Sequence, residues 1–219
     1  MRDNPMLTAY CFVDGGHLRA AARKYNKPLV DPRILAENIA GSSLVQGWRI
    51  PGMGSGAKTR AGSSEVGLGR VLYYDARPDD ITSYSAVEDY WKAIELLPDT
   101  EVGFGALRGR PRRQKRVDGL IAVDMMVGAF TNLFQVGILV AGDSDFVPVV
   151  NEVRRRGVMV VVAGVRESLA DELKRAGDRV WPIDPAGNPQ MTEFPPLRQG
   201  NKVWFEADDG SVYLHEENQ

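Results

Sequence analysis

Short apolar runs alternate with longer stretches of helical composition over the first 183 residues of the chain. Five runs are predicted to be buried strands, at 7–13, 70–74, 101–107, 136–140 and 158–162. Helices are predicted at 17–25, 31–40, 83–97, 117–130, 146–156 and 167–175, and a last short strand at 179–181. Strands that alternate with helices indicate a mainly parallel sheet covered on both faces, which is a three-layer α/β sandwich.

Three segments depart from this alternation. Residues 41–69 are rich in Gly and Ser and are predicted to be mostly loop, with a short strand near Trp48. Residues 108–116 are predicted to be a basic loop, and residues 184–200 contain several prolines and are predicted to be a linker. We therefore expect a main domain of residues 1–183.

The remaining residues, 184–219, are expected to form an accessory extension. Val203 to Leu214 has the pattern of a hairpin around Asp209-Gly210, a favoured turn dipeptide. Val203, Phe205, Val212 and Leu214 are predicted to share one apolar face, which packs on the domain or on a second chain. A homodimer is therefore left open.

Composition limits the function classes. The 219 residues are 43% hydrophobic and 26% charged, with a net charge of −2, as in ordinary globular proteins. One cysteine excludes an intrachain disulfide and a cysteine-based zinc site, and a reducing cytoplasm is expected. No signal peptide and no membrane span are indicated.

Aspartates follow two of the predicted strands. Asp14 ends the run FVD before two glycines, and Asp143 follows the run that ends at Val140. In open parallel sheets, ligands bind at the carboxyl ends of strands, where the strand order reverses. If these two strands flank that crevice, both carboxylates point into it. Asp145 and Asp118, at the starts of two predicted helices, are expected to join them.

Four converging carboxylates would repel one another unless a cation neutralised them. Oxygen ligands suit Mg²⁺ or Mn²⁺, so the sequence indicates a divalent metal site. Each of these aspartates could instead cap a helix or turn. His17 is more readily a polar residue of a helix start than a ligand, and Ser144 more readily a cap. Asp124 lies roughly 240° around the helix from Asp118 and is predicted to have a supporting role.

A cluster of cations precedes Asp118. These residues are predicted to contact a phosphate backbone, although any one of them could be solvated: Arg108, Arg110, Arg112, Arg113, Lys115 and Arg116. The three arginines 154–156 end a helix, where cations favour the helix dipole, and are predicted to be structural.

Four segments together resemble the NYN domain family of PIN-like nucleases, in particular its bacterial branch. They are FVDGGHL from Phe12, VLYYDA from Val71, KRVDGLIAVDMM from Lys115 and ILVAGDSDFVPVV from Ile138. The last is the most specific, and the resemblance covers about residues 7–183.

The resemblance implies a Rossmann-like fold with strand order 3-2-1-4-5. It also implies an endoribonuclease that cleaves single-stranded or structured RNA with Mg²⁺ or Mn²⁺ and leaves 5′-phosphate and 3′-hydroxyl ends. The family's acidic positions correspond to Asp14, Asp118, Asp143 and Asp145. Two positions depart from the family pattern: His17 stands where many members have Asn, and Arg116 where many have Gly.

Other functions are weighed against this one. The main alternative is a catalytically weak RNA-binding or scaffold module of the same fold. It is suggested by His17, which stands where many family members have Asn. The segment Gly52 to Thr59 approximates a phosphate-binding loop but has Ala57 where that motif requires Gly, and no clear helix follows it. A haloacid-dehalogenase-type phosphatase would need Asp at Gly16.

Overall fold

The computed structural model describes residues 6–46, 65–78, 85–108, 113–115, 117–185 and 194–216. Only the backbone is described for residues 78, 85–86, 106–108 and 113–115. The predicted strand near Trp48 and the segment Gly52 to Thr59 lie outside the described residues.

A seven-stranded sheet forms the centre of the structure, with strand order β4-β3-β2-β1-β5-β6-β7. The pairs are parallel except β3 with β4, which is antiparallel. In chain order the strands are β1 (Leu7–Asp14), β2 (Val66–Pro78), β3 (Thr100–Arg108), β4 (Arg113–Lys115), β5 (Val136–Val140), β6 (Met159–Val165) and β7 (Arg179–Ile183). The predicted order of five parallel strands is therefore confirmed, and β7 extends it.

Helices cover both faces of this sheet. They are α1 (Gly15–Lys24), α2 (Pro32–Ala40), α3 (Ser85–Glu95), α4 (Val117–Phe130), α5 (Val147–Arg155) and α6 (Asp171–Ala176). Residues of α1, α2 and α3 pack into one buried cluster and residues of α4, α5 and α6 into another, which confirms the three-layer α/β fold. None of the described helices is long and apolar enough to cross a bilayer.

Local chemistry explains several boundaries. Every residue of β5 and of β6 is buried, as expected for parallel strands covered on both faces. The carboxylate of Asp31 accepts hydrogen bonds from the backbone N–H groups of Arg33 and Ile34, both at 2.9 Å, and Pro32 begins α2. Gly157 follows α5 with φ of +83°, as predicted for a glycine in this position.

Three loop or helix assignments were wrong. Residues 66–69 belong to β2, because Val66 to Leu68 pair in parallel with Leu7 to Ala9, a long-range contact that their Gly-rich sequence does not indicate. Residues 113–115 form the edge strand β4 and are not loop. The helix predicted from residue 167 begins at Asp171, since residues 166–170 form a turn whose Ala170 N–H donates to the Gly142 carbonyl at 2.9 Å.

The C-terminal residues form a second sheet of three antiparallel strands, in the order β10-β9-β8. These strands are β8 (Arg198–Gln199), β9 (Lys202–Glu206) and β10 (Val212–Glu216). The hairpin predicted around Asp209-Gly210 is confirmed. Part of the predicted linker is instead ordered, because Val30 bridges to Pro196 and Leu197 is buried in the main core.

The predicted apolar face of this hairpin was wrong. Val212 pairs with Glu206 and Leu214 with Trp204, so the side chains facing the domain come from these four positions. Trp204 and Val212 belong to the main core, with Leu214 packed against it. Phe205 lies on the opposite face and stacks on Tyr213. That residues 184–219 are an accessory to a nuclease domain of residues 1–183 stays a prediction.

A buried ion network attaches the second sheet to the domain. Glu206 accepts hydrogen bonds from Arg19 Nε at 2.7 Å and from an Arg23 guanidinium nitrogen at 2.6 Å. Arg19 also donates to Asp75 at 2.8 Å, and Asp75 accepts from the Trp91 indole N–H at 2.9 Å. Because each buried carboxylate has a cation, the charges are compensated where water is excluded.

We predict that Glu206→Gln lowers the free energy of unfolding by on the order of 3 kcal/mol, because it leaves a buried guanidinium without one of its carboxylates. The matched control is Glu101→Gln, which breaks an exposed 2.6 Å pair with Arg70 and should cost less than about 1 kcal/mol. Denaturant unfolding of both variants measures the difference. Equal losses would show that the buried network contributes no more than a surface pair.

Candidate active site

The carboxyl ends of β1 and β5 lie side by side where the strand order reverses, which is the place where open parallel sheets have a crevice. The chain proceeds from β1 to β2 and β3 on one side, and β5 and β6 lie on the other. Val13 of β1 pairs with Val140 of β5. Asp14 is the last residue of β1, and Asp143 lies three residues beyond Val140. The prediction that these two strands end side by side is confirmed.

Both strand-end aspartates hold the backbone that follows them. A carboxylate oxygen of Asp14 accepts from the His17 N–H at 3.2 Å and caps α1. A carboxylate oxygen of Asp143 accepts from the Asp145 N–H at 3.0 Å and caps a single 3₁₀ turn, Ser144–Phe146, which leads into α5. The predicted cap was Ser144, but Asp143 has that role. Capping engages part of each carboxylate, so capping and ligand binding are compatible.

Asp118 belongs to a different element but interacts electrostatically with two of the other acids, Asp143 and Asp145. It is the second residue of α4, on the face of the sheet that α4 shares with α5. Its pKa is raised above the ordinary value, first by partial burial and then by the negative charges of Asp143 and Asp145. Among the described residues, no ion pair compensates Asp118, Asp143 or Asp145. Three of the four predicted acids therefore share one electrostatic environment beside the end of β1.

His17 lies beside the backbone that leads to Asp143, and its imidazole ring is neutral at pH 7. Its Nε2 accepts a hydrogen bond from the Val165 N–H at 3.3 Å. A Cβ atom on Gly142 would lie 2.6 Å from His17 Cε1, so the ring packs directly against the backbone that leads to Asp143. Burial lowers the pKa of His17 to about 4. The hydrogen bond assigns the remaining proton to Nδ1. The contacts of His17 are those of a positioning residue.

Asp124 is held by the sheet and not by the other acids. The hydroxyl of Tyr74 donates to Asp124 Oδ2 at 2.6 Å, and burial together with this carboxylate raises the pKa of Tyr74. Tyr74 lies beside Asp14 in the pairing of β1 with β2. Asp124 therefore ties α4 to β2, the strand next to β1, and its supporting role in the site stays a prediction.

All six side chains of the basic cluster lie outside the described part of the structure. The backbone shows β4 returning antiparallel along β3, with Arg108 opposite Arg113. Arg110, Arg112 and Arg116 lie outside the described residues, and of Lys115 only the backbone is described. The contribution of these cations to RNA binding therefore stays a prediction.

Sequence reasoning missed the groups that shape the crevice from β6. A Cβ atom on Gly142 would lie 2.6 Å from the Ser168 carbonyl oxygen, and the Gly142 carbonyl accepts from Ala170. The turn after β6 thus fixes the peptide that precedes Asp143. The one signal was Gly142 itself, since a glycine after an apolar strand permits such close approach.

The donors present fit a hydrated divalent cation better than a closed metal cage. Among the described residues, no three His, Cys, Asp or Glu side chains are arranged as a ready-made metal site. The nearby acids offer only oxygen donors, and their mutual repulsion would be relieved by a cation. Mg²⁺ commonly keeps several waters and binds through one or two carboxylates together with substrate phosphates. Which of the four acids hold the ion stays a prediction.

We predict that His17 makes stability depend on pH. Because the folded pKa of about 4 lies below the ordinary value of 6.5, the unfolded chain binds more protons between these values. The free energy of unfolding should fall by on the order of 3 kcal/mol as the pH drops through that window. His17→Asn should remove this component, which denaturant titrations at several pH values can measure. Parallel pH profiles for the two proteins would contradict the burial of His17.

Comparisons with known proteins agree with the fold described above. No curated protein matches the chain. A solved structure of a protein of unknown function from Vibrio parahaemolyticus is similar, with 18% identity and a TM-score of 0.59, over 84% of this chain and 97% of that one. This likeness shows the fold alone. The sequence model of the NYN domain matches residues 9–184, and the chain therefore belongs to the NYN domain family.

Proposed function

We propose that this protein is a Mg²⁺- or Mn²⁺-dependent endoribonuclease that hydrolyses RNA phosphodiester bonds at the crevice between β1 and β5. The family supports a nuclease role, since NYN domains are PIN-like nucleases. The observation that carries the proposal is the charge coupling of Asp118 with Asp143 and Asp145, which come from separate elements. Perturbed carboxylates in a cleft at a topological switch point are typical of functional sites.

In this proposal the four aspartates bind the ion and position the attacking water at the scissile phosphate. Asp14, Asp118 and Asp143 would hold the ion, directly or through water, and Asp145 would orient the attacking water. When bound, a divalent ion lowers the pKa of a water ligand and stabilises charge on the phosphate oxygens. His17 keeps the Gly142 peptide, and with it Asp143, in place. The expected products carry 5′-phosphate and 3′-hydroxyl ends.

A catalytically weak RNA-binding module is the second candidate. It is favoured by the absence of a ready-made three-ligand group among the described residues and by His17 in place of Asn. The two candidates differ in cleavage but agree in RNA binding, so binding alone does not separate them.

We predict that Asp143→Asn lowers RNA cleavage by at least about a hundredfold, because it removes a charged ligand that a bound ion would require. Asp208→Asn, which changes an exposed aspartate of the C-terminal hairpin, should retain activity. The assay uses a panel of single-stranded and hairpin RNAs with Mg²⁺, Mn²⁺ or EDTA. Undiminished cleavage by Asp143→Asn would remove this site from the mechanism, and RNA binding by wild type without cleavage would favour the second candidate.

We also predict that the basic segment before α4 supplies RNA affinity despite the net charge of −2. Replacing Arg112, Arg113 and Arg116 with Ala should flatten the slope of log affinity against log salt by about 0.7 for each lost phosphate contact. Ca²⁺ replaces Mg²⁺ in this titration to suppress cleavage.

The control for this titration replaces three cations on other elements, Arg175, Arg179 and Lys202, with Ala. It should leave the slope nearly unchanged. Equal slopes for the basic-segment variant and wild type would show that RNA enters by another face.

A further inference from the structure

Helix α4 is apolar on two opposite sides. Val117, Ile121, Met125 and Ala129 are buried against the sheet. The other side carries six large apolar side chains that are 36–57% exposed, here called the α4 stripe: Leu120, Val123, Met126, Val127, Phe130 and, just beyond the helix, Leu133. A helix that is apolar all round is normally buried on all sides. Within the described part of the chain, each member of the stripe keeps at least 36% of its surface exposed.

The stripe is large enough to contribute most of a protein interface. Its members recur three or four residues apart and line one side of the helix over its whole length. They expose on the order of 500 Å² of apolar surface, against about 800 Å² buried per partner in a stable interface. The remaining area would come from the polar rim on either side.

Charges at the ends of the stripe select an orientation. Asp118 and Asp124 are the charged residues of α4, and both lie in its first eight positions. At the other end, the Arg156 guanidinium stacks on the Phe130 ring at 4.5 Å. A second copy running antiparallel would set Arg156 of each chain near the acidic end of the other. A parallel copy would set like charges together.

We propose that two copies of this chain associate through their α4 stripes, antiparallel about a twofold axis, with Met126 and Val127 at the centre. Such an interface is isologous, because the same patch serves both subunits. The C-terminal hairpin is not needed for it, since Trp204 and Val212 pack on their own domain. The proposal does not depend on the proposed chemistry, although each Asp118 would lie on an interface helix.

The first test measures the mass of the full chain by sedimentation velocity over a range of concentrations. Wild type should sediment as a dimer of the 24.1 kDa chain. Val127→Glu places two like charges at the twofold axis and should weaken dimerisation by at least about a hundredfold. Ile34→Glu, at an exposed apolar position of α2, is the matched control and should remain dimeric.

The second test maps the axis by disulfide formation and does not depend on how a glutamate affects folding. Val127→Cys and Met126→Cys should cross-link on oxidation if the axis passes between them, because a disulfide requires Cα atoms within roughly 7 Å. The native Cys11 is fully buried and Ile34→Cys serves as the control. A monomer at all concentrations overturns the proposal. A dimer that survives Val127→Glu and cross-links at neither position overturns it too.

Discussion

The parallel pairing of β1 with β5 is the constraint from which the rest of the structure follows. Because β2 and β3 extend the sheet on one side and β5 and β6 on the other, the strand order reverses at this pair. The two strands that end at Asp14 and just before Asp143 therefore end side by side. Asp118 joins them because α4 covers the same face of the sheet as α5. One strand pairing thus brings together two strand ends that are far apart in sequence.

The acidic residues of the protein fall into two groups, those paired with cations and those that lie beside other acids. Asp75 and Glu206 are buried but are paired with Arg19 and Arg23, so the network stabilises the attachment of the C-terminal sheet. In the crevice, by contrast, no cation among the described residues pairs with Asp118. Partial burial and the neighbouring acids Asp143 and Asp145 raise its pKa. Such uncompensated repulsion costs stability. It is a reason to expect a ligand of positive charge.

Elements with a strong local pattern could be predicted from the sequence. The bounds of α4 and β5 agree with the prediction residue for residue, and Asp31 and Gly157 fulfil the capping roles expected of them. Long-range pairing could not be predicted: residues 66–69 become strand through β1, and cross-strand register decides which hairpin face is buried. In the site, the strand-end acids were recognisable, but the hydrogen bond of His17 spans 148 residues and left no local signal.

We propose that the crevice between β1 and β5 holds a divalent cation on its aspartates. A crystal of the protein soaked in Mn²⁺ tests this directly, because manganese is located by its anomalous scattering. We expect a peak bound by Asp118 and Asp143, and none at this place in crystals of Asp118→Asn. A wild-type crystal that shows manganese elsewhere on the protein, or none at saturating concentration, would contradict the account.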